Sequence, residues 1–157
     1  MVRRVEGSLL EIKLGGNQKA YARVLPDTLF AFYLVDEDRP IEPSHFATAR
    51  PVFTLPAMKY AVTSGRWPVV AKWPLEEELT TPIPFFMQDR LNGELSLYIG
   101  GVVRPADITE CLGLECAAVW DPEHVEDRLR DQLAGVPNKW VESLKLNAQR
   151  VPKESRS

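Results

Sequence analysis

Cysteine and histidine are scarce, with two of each in 157 residues. Cys111 and Cys116 are too few for a disulfide scaffold, and no second Cys/His pair stands at the spacing a structural zinc site needs. They read as buried or half-buried free thiols in a reducing compartment. Neither His45 nor His124 lies in a nucleophile motif, and GxSxG, HExxH, the phosphate-cradling GxxxxGK[ST] and GxGxxG are all missing. With no metal-ligand cluster either, no cofactor is expected. A basic excess is lacking too: 19 lysines and arginines face 22 acidic residues, for a net charge of −3. That disfavours a nucleic-acid binder. Long apolar runs are absent. The opening MVRRVEGSLLEIKL is broken by Glu11 and Lys13, so no signal peptide and no membrane span are expected, and the reading is cytoplasmic.

What is present suits a soluble globular chain, 45% hydrophobic and 26% charged. This length can bury roughly two-thirds of its unfolded surface in one domain. Thirteen prolines fall between the apolar runs and predict short, punctuated elements. Leu10, Ile12 and Leu14 alternate with Glu11 and Lys13, as in a half-buried strand. The turn residues Gly15, Gly16 and Asn17 lead into a returning strand from Ala20 to Leu25. Leu29 to Val35 is continuously apolar, as expected of a central strand covered on both sides, so the first three strands form an antiparallel meander. Further strands are expected at Val52–Leu55, Pro68–Lys72, Leu95–Ile99 and Val102–Arg104. One helical turn is expected at Pro43–Ala47, and Phe85–Met87 is expected to be extended. Met58 to Trp67 reads equally as a short helix or an irregular crossing. Asp107 and Glu110 suggest a capped short helix.

The clearest helix starts at Asp121, an N-cap followed by Pro122, and stops at Gly135 before Pro137. Val125, Leu129 and Leu133 make its apolar stripe, with Glu123, Glu126, Asp127, Arg128, Arg130 and Asp131 opposite. So short a helix needs a surface to dock on. A second short helix is expected from about Asn138. The expected fold is α+β: a mainly antiparallel, strongly curved or barrel-like sheet with the C-terminal amphipathic helix docked on it. A single domain is expected over 1–146, followed by a polar, frayed tail over 147–157.

Three carboxylate-rich stretches are candidate binding surfaces: Asp36, Glu37 and Asp38; Glu76, Glu77 and Glu78; and Glu123 with Asp127 on the helix. Where two converge they would complement a basic partner. Each is also the composition of an ordinary solvated face. Trp67, Trp73, Trp120 and Trp140 read as packing residues. Two other readings stay open: a small β-rich hydrolase using carboxylates with a histidine, and a β-barrel stacking nucleic-acid bases on tryptophan.

The early strand pair with YARVL, the AVTSGRW segment at Ala61–Trp67, and LECAAVWDPEHVEDRLRDQLAG with PNKWVESLK together resemble the immunity protein 26 family of bacterial polymorphic toxin systems. The resemblance runs from about Gly7 to Leu146 and rests on the order of these segments. It implies a cytoplasmic, non-enzymatic protein that neutralises a cognate toxin by stoichiometric contact, with a basic active site as the natural target if that toxin is a nuclease. The signature positions it suggests are Gly65, Trp67, Trp120, Asp121, Pro122, Arg128 and Trp140, read as structural. Oligomeric state is left open.

Overall fold

The computed structural model describes residues 2–35 and 42–153. It contains two compact units, one of Met1–Thr80 with Val119–Asn138, the other of Thr81–Ala118 with Lys139–Ser157. The fold is α+β, with eight strands in antiparallel sheets among the described residues. No helix there is long and apolar enough to cross a membrane.

The first unit is built on β1 (Ser8–Gly15), β2 (Gln18–Val24), β3 (Leu29–Tyr33), β4 (Phe53–Pro56) and β5 (Val69–Lys72), in the order β4-β3-β2-β1-β5. All pairings are antiparallel, so the meander forms as expected. The sheet is open. Its edges, β4 and β5, do not pair with each other, so the barrel-like version of the expectation does not form. The remaining strands make a separate sheet in the second unit.

Register decides which side chains share a face of the five-stranded sheet. Leu9, Arg23 and Ala31 are aligned across three strands, as are Glu11, Tyr21 and Tyr33. This face is covered by Phe46 of α1 (Pro43–Ala47) and by Trp73, Leu75 and Leu79 from the chain after β5. The alternate residues, among them Leu10, Ile12, Phe30, Phe32, Phe53 and Leu55, line the opposite face and are nearly or fully buried. There Trp67 sets its ring edge-on to Phe30 and Phe32 at 5.9 and 5.6 Å between centroids. Sequence alternation alone marks only one face of β1 as buried. Both are covered, which is why Leu9 and Leu10 are equally inaccessible.

The ambiguous Met58–Trp67 stretch resolves as one helical turn, α2 (Tyr60–Thr63), and a crossing that inserts Trp67. The acidic run after β5 ends in a 3₁₀ turn, Glu77–Thr80.

The second unit holds β6 (Phe85–Gln88), β7 (Leu95–Ile99) and β8 (Val102–Pro105), in that order. Gly100 and Gly101 both take positive φ, +57° and +83°, as the two-residue primed hairpin turn requires. Phe86, Leu95 and Leu97 form a core with Cys111 and Val151. The short helix α3 (Ile108–Cys111) has the capping box read from Asp107 and Glu110. Burial holds both thiols above their ordinary pKa, which leaves them protonated and unreactive. The chain from Asn147 onward, expected to fray, contributes Val151 to this core at 2% exposure. Asn147 N donates to Gln88 Oε1 (2.9 Å), and Gln88 Nε2 donates to Asn147 O (3.0 Å).

Candidate interaction surface

Helix α4 (Pro122–Ala134) in the first unit organises the best-built surface. Asp121 accepts from the backbone N–H of Glu123, Pro122 occupies the first turn, and Gly135 ends the helix in left-handed backbone, as its sequence predicts. Its buried positions are Pro122, Val125, Glu126 and Leu129. That is the i, i+3, i+4, i+7 face of a helix, with a carboxylate in the middle of it. Leu133, expected on the stripe, is 43% exposed.

Glu126 is therefore not on the solvated face. It stands 5% exposed and accepts three hydrogen bonds. Arg66 Nε donates to Oε2 (2.7 Å) and Arg66 Nη2 to Oε1 (2.9 Å), a bidentate fork, and Trp67 Nε1 donates to Oε2 (2.9 Å). Such charge-assisted, planar pairing is among the strongest hydrogen-bonding geometries available to side chains. The bond to Glu126 raises the Arg66 pKa above its ordinary value, so the guanidinium is permanently charged. Arg130 adds an i, i+4 ion pair at 3.8 Å and donates from Nε to the Leu14 carbonyl of β1 at 2.7 Å. On the flank of α4 the Arg128 guanidinium lies 4.0 Å from the Phe53 ring centroid and 5.3 Å from that of Trp120. The positions expected as signatures that fall in this unit lie on or beside α2 and α4. Gly65 (φ +80°) ends α2 just before Arg66. Trp67 bonds Glu126, Asp121 and Pro122 start α4, and Arg128 covers Trp120. Trp120 bridges to Ala57 beside β4. Trp140 belongs to the other unit, half-buried, with the Lys139 ammonium 4.6 Å from its ring centroid.

A second ionic cluster lies on the opposite face of the sheet. Arg23 is fully buried near the C-terminal end of β2. Its Nη1 donates to Glu76 Oε2 (3.0 Å), its Nη2 donates to the Trp73 carbonyl (3.1 Å), and the Trp73 ring stacks 3.9 Å from its guanidinium carbon. Trp73 Nε1 donates to Glu76 Oε1 at 2.8 Å. Burial opposes ionisation of Glu76, but hydrogen bonds from Trp73 and the charge and hydrogen bond of Arg23 outweigh it, holding the carboxyl below its ordinary pKa. Burial also pushes the Tyr33 hydroxyl up to about 12.

The acidic candidates separate accordingly. Asp36, Glu37 and Asp38 lie outside the described residues. Glu76 holds a buried arginine, whereas Glu77 and Glu78 are exposed beside it. Glu123 is exposed on α4, and Asp127 is half-buried and 3.1 Å from Arg130. The Glu76–Glu78 run and the α4 carboxylates stand against opposite faces of the sheet, so these two do not converge on one patch. Sequence reading missed Glu126, Arg66 and Arg23. Glu126 had a usable signal, since it falls between Val125 and Leu129 on the helical repeat. Arg23 had a weaker one, a lone charge inside an otherwise apolar strand. No group of three or more potential ligands able to hold a metal occurs among the described residues.

A family model described as Immunity protein 26 matches residues 5–97. The match takes in the five-stranded sheet and the Ala61–Trp67 segment and stops before α4. No curated protein and no solved structure matches the chain.

Proposed function

The chain belongs to the immunity protein 26 family, and from that membership we propose that it binds a bacterial protein toxin and neutralises it by stoichiometric contact in the cytoplasm. The family match over residues 5–97 is the observation that carries this reading. Inhibition by binding needs a rigid scaffold and a complementary surface rather than a reacting group. A chain with net charge −3 and exposed carboxylates at Glu77, Glu78 and Glu123 is suited to a basic partner, because opposite fields speed encounter and select against like-charged surfaces. A nuclease, which must hold phosphates, is the toxin class that fits this charge best.

The test is co-expression with the product of the gene that neighbours this chain's own, assayed for toxicity alone and in the pair. Protection of the cells, together with a purified complex of fixed stoichiometry, is expected. Protection without a complex would point to an enzymatic or indirect mode, and no protection would remove the reading.

A further inference from the structure

We propose that the toxin docks where α2 meets the start of α4, on an apolar centre of Met58, Tyr60 and Val119 rimmed by the carboxylates of Asp121 and Glu123. This rests on the toxin-neutralising reading above and names the surface and its partner's chemistry. The partner surface presents an apolar side chain flanked by lysine or arginine.

The three central side chains are large, apolar and open to solvent, at 48%, 37% and 55% exposure. Two hydrogen bonds, one backbone to backbone and one between side chains, hold them together. Met58 N donates to the Trp120 carbonyl, next to Val119, at 3.0 Å. The Tyr60 hydroxyl donates to Asp121 Oδ1 at 3.1 Å. The ground beneath is fixed: Ala61 and Val62 of α2 and Trp67 are at most 1% exposed, and Glu126 ties Trp67 and Arg66 to α4. A surface already ordered loses little conformational freedom on binding, which favours affinity. Methionine and tyrosine are also enriched at interface centres.

Charge selects the partner. Arg66, the arginine at this rim, makes its short bonds to the buried Glu126 and only a 3.8 Å ion pair with Glu123, whose side chain is 65% exposed. Asp121 adds a second carboxylate, and Lys59 is the exposed cation beside Tyr60. A basic rim on the toxin would meet two carboxylates around an apolar centre. Another exposed apolar strip, Val102 and Val103 in β8, lacks this character. Arg104 beside it is paired with Glu110 at 3.2 Å, and Pro105 removes a backbone donor from that strand, a device that blunts sheet edges.

The experiment uses the full chain and a catalytically inactivated form of the toxin against which it protects cells in the co-expression test. Affinity and association rate are measured for wild type, Met58→Lys, Tyr60→Ala, Tyr60→Phe and Glu123→Lys, with Val103→Ala in the second unit as the control. Met58→Lys and Tyr60→Ala should each raise Kd about tenfold or more, the scale of a binding hot spot. Tyr60→Phe, which keeps the ring but loses the bond to Asp121, should weaken binding less than Tyr60→Ala, and Glu123→Lys should slow association and flatten its salt dependence. Amide exchange of α4 beyond its first turn should be unchanged in every variant. Wild-type binding that survives both Met58→Lys and Tyr60→Ala within twofold, or is lost only in Val103→Ala, overturns the docking surface while leaving the toxin-binding reading intact. Absence of wild-type binding overturns that reading and the surface with it.

Discussion

Removing Arg66 should cost more than removing an ordinary surface arginine. Its side chain is 39% exposed, whereas that of its partner Glu126 is only 7% exposed. An exposed ion pair contributes about 0–1 kcal/mol, and exposure of Arg66 alone would place this pair there. The asymmetry changes the sum. Arg66→Ala strands a buried carboxylate, left with the Trp67 N–H and with Arg130 at 3.8 Å. Breaking a buried pair by deleting one partner costs about 3–5 kcal/mol, and the two surviving contacts bring the expected loss to about 2–3 kcal/mol. Glu126→Gln strands only Arg66, which can turn to water, and its amide oxygen still accepts from Trp67. Its cost should be smaller, about 1–2 kcal/mol, the scale of charge-assisted hydrogen bonds partly exchanged for water.

The decisive measurement is the double variant. Glu126→Gln placed in the Arg66→Ala background removes the stranded charge, so it should recover about 1 kcal/mol instead of adding to the loss. Amide hydrogen exchange of α4 reads this locally, without assuming that the two units unfold together. A loss of about 2–3 kcal/mol corresponds to exchange faster by roughly 30- to 150-fold. An Arg66→Ala cost below about 1 kcal/mol, or a double variant worse than either single one, would refute the argument that Glu126 is the buried anchor.

Two further outcomes follow from the same physics. Glu76 titrates below its ordinary pKa when folded, so its contribution is complete above the ordinary carboxylate range and is lost as pH falls through the depressed value. Exchange protection of β2 and β3 should therefore decline on acidification, and Glu76→Gln should lower it at neutral pH and flatten that decline; a pH profile identical to wild type would show that another carboxylate is responsible. In the second unit, Gly93 has φ +75°, and a Cβ there would lie 1.9 Å from the Arg150 carbonyl oxygen. Gly93→Ala should cost well over about 1 kcal/mol, since both the backbone and the space are incompatible. It should also loosen residues 147–151, and limited proteolysis that leaves them as resistant as in wild type would refute the contact.

Local signals were read correctly from sequence and long-range ones were not. Asp121, Pro122 and Gly135 delimit α4 because caps act within a turn of their own position. Gly100 and Gly101 mark the β7–β8 hairpin because only two residues separate its strands. Leu10, Ile12 and Leu14 report the strand and one covered face. The partner of Arg23 is Glu76, 53 residues on, and that of Glu126 is Arg66, 60 residues back. No local periodicity encodes either distance. The same limit hid the second sheet: alternation identifies β6, β7 and β8 as strands, but whether they extend the first sheet depends on pairings that no single strand contains. Acidic composition misled most at Glu76, where an exposed run and a buried counter-ion have the same letters.

That ambiguity has a functional consequence for how the acidic residues are weighed. A carboxylate can recognise a partner only if its charge is not already required inside the protein. Glu76 and Glu126 are each bound to an arginine and a tryptophan N–H, and substituting either would damage the first unit before it tested recognition. Glu77 and Glu78 are exposed and bear no such duty, and Glu123 is exposed with only a 3.8 Å ion pair to Arg66. Between these groups the sheet itself intervenes, with Glu77 and Glu78 on the face covered by Phe46 and Trp73 and Glu123 on the face covered by α4. A compact toxin surface could engage one of these faces with its full complement of contacts, and only the α4 face joins its exposed carboxylate to a neighbouring apolar centre fixed from below. Recognition by this unit is therefore best sought at the N-terminal end of α4, with Glu126 and Trp67 acting through the helix they position.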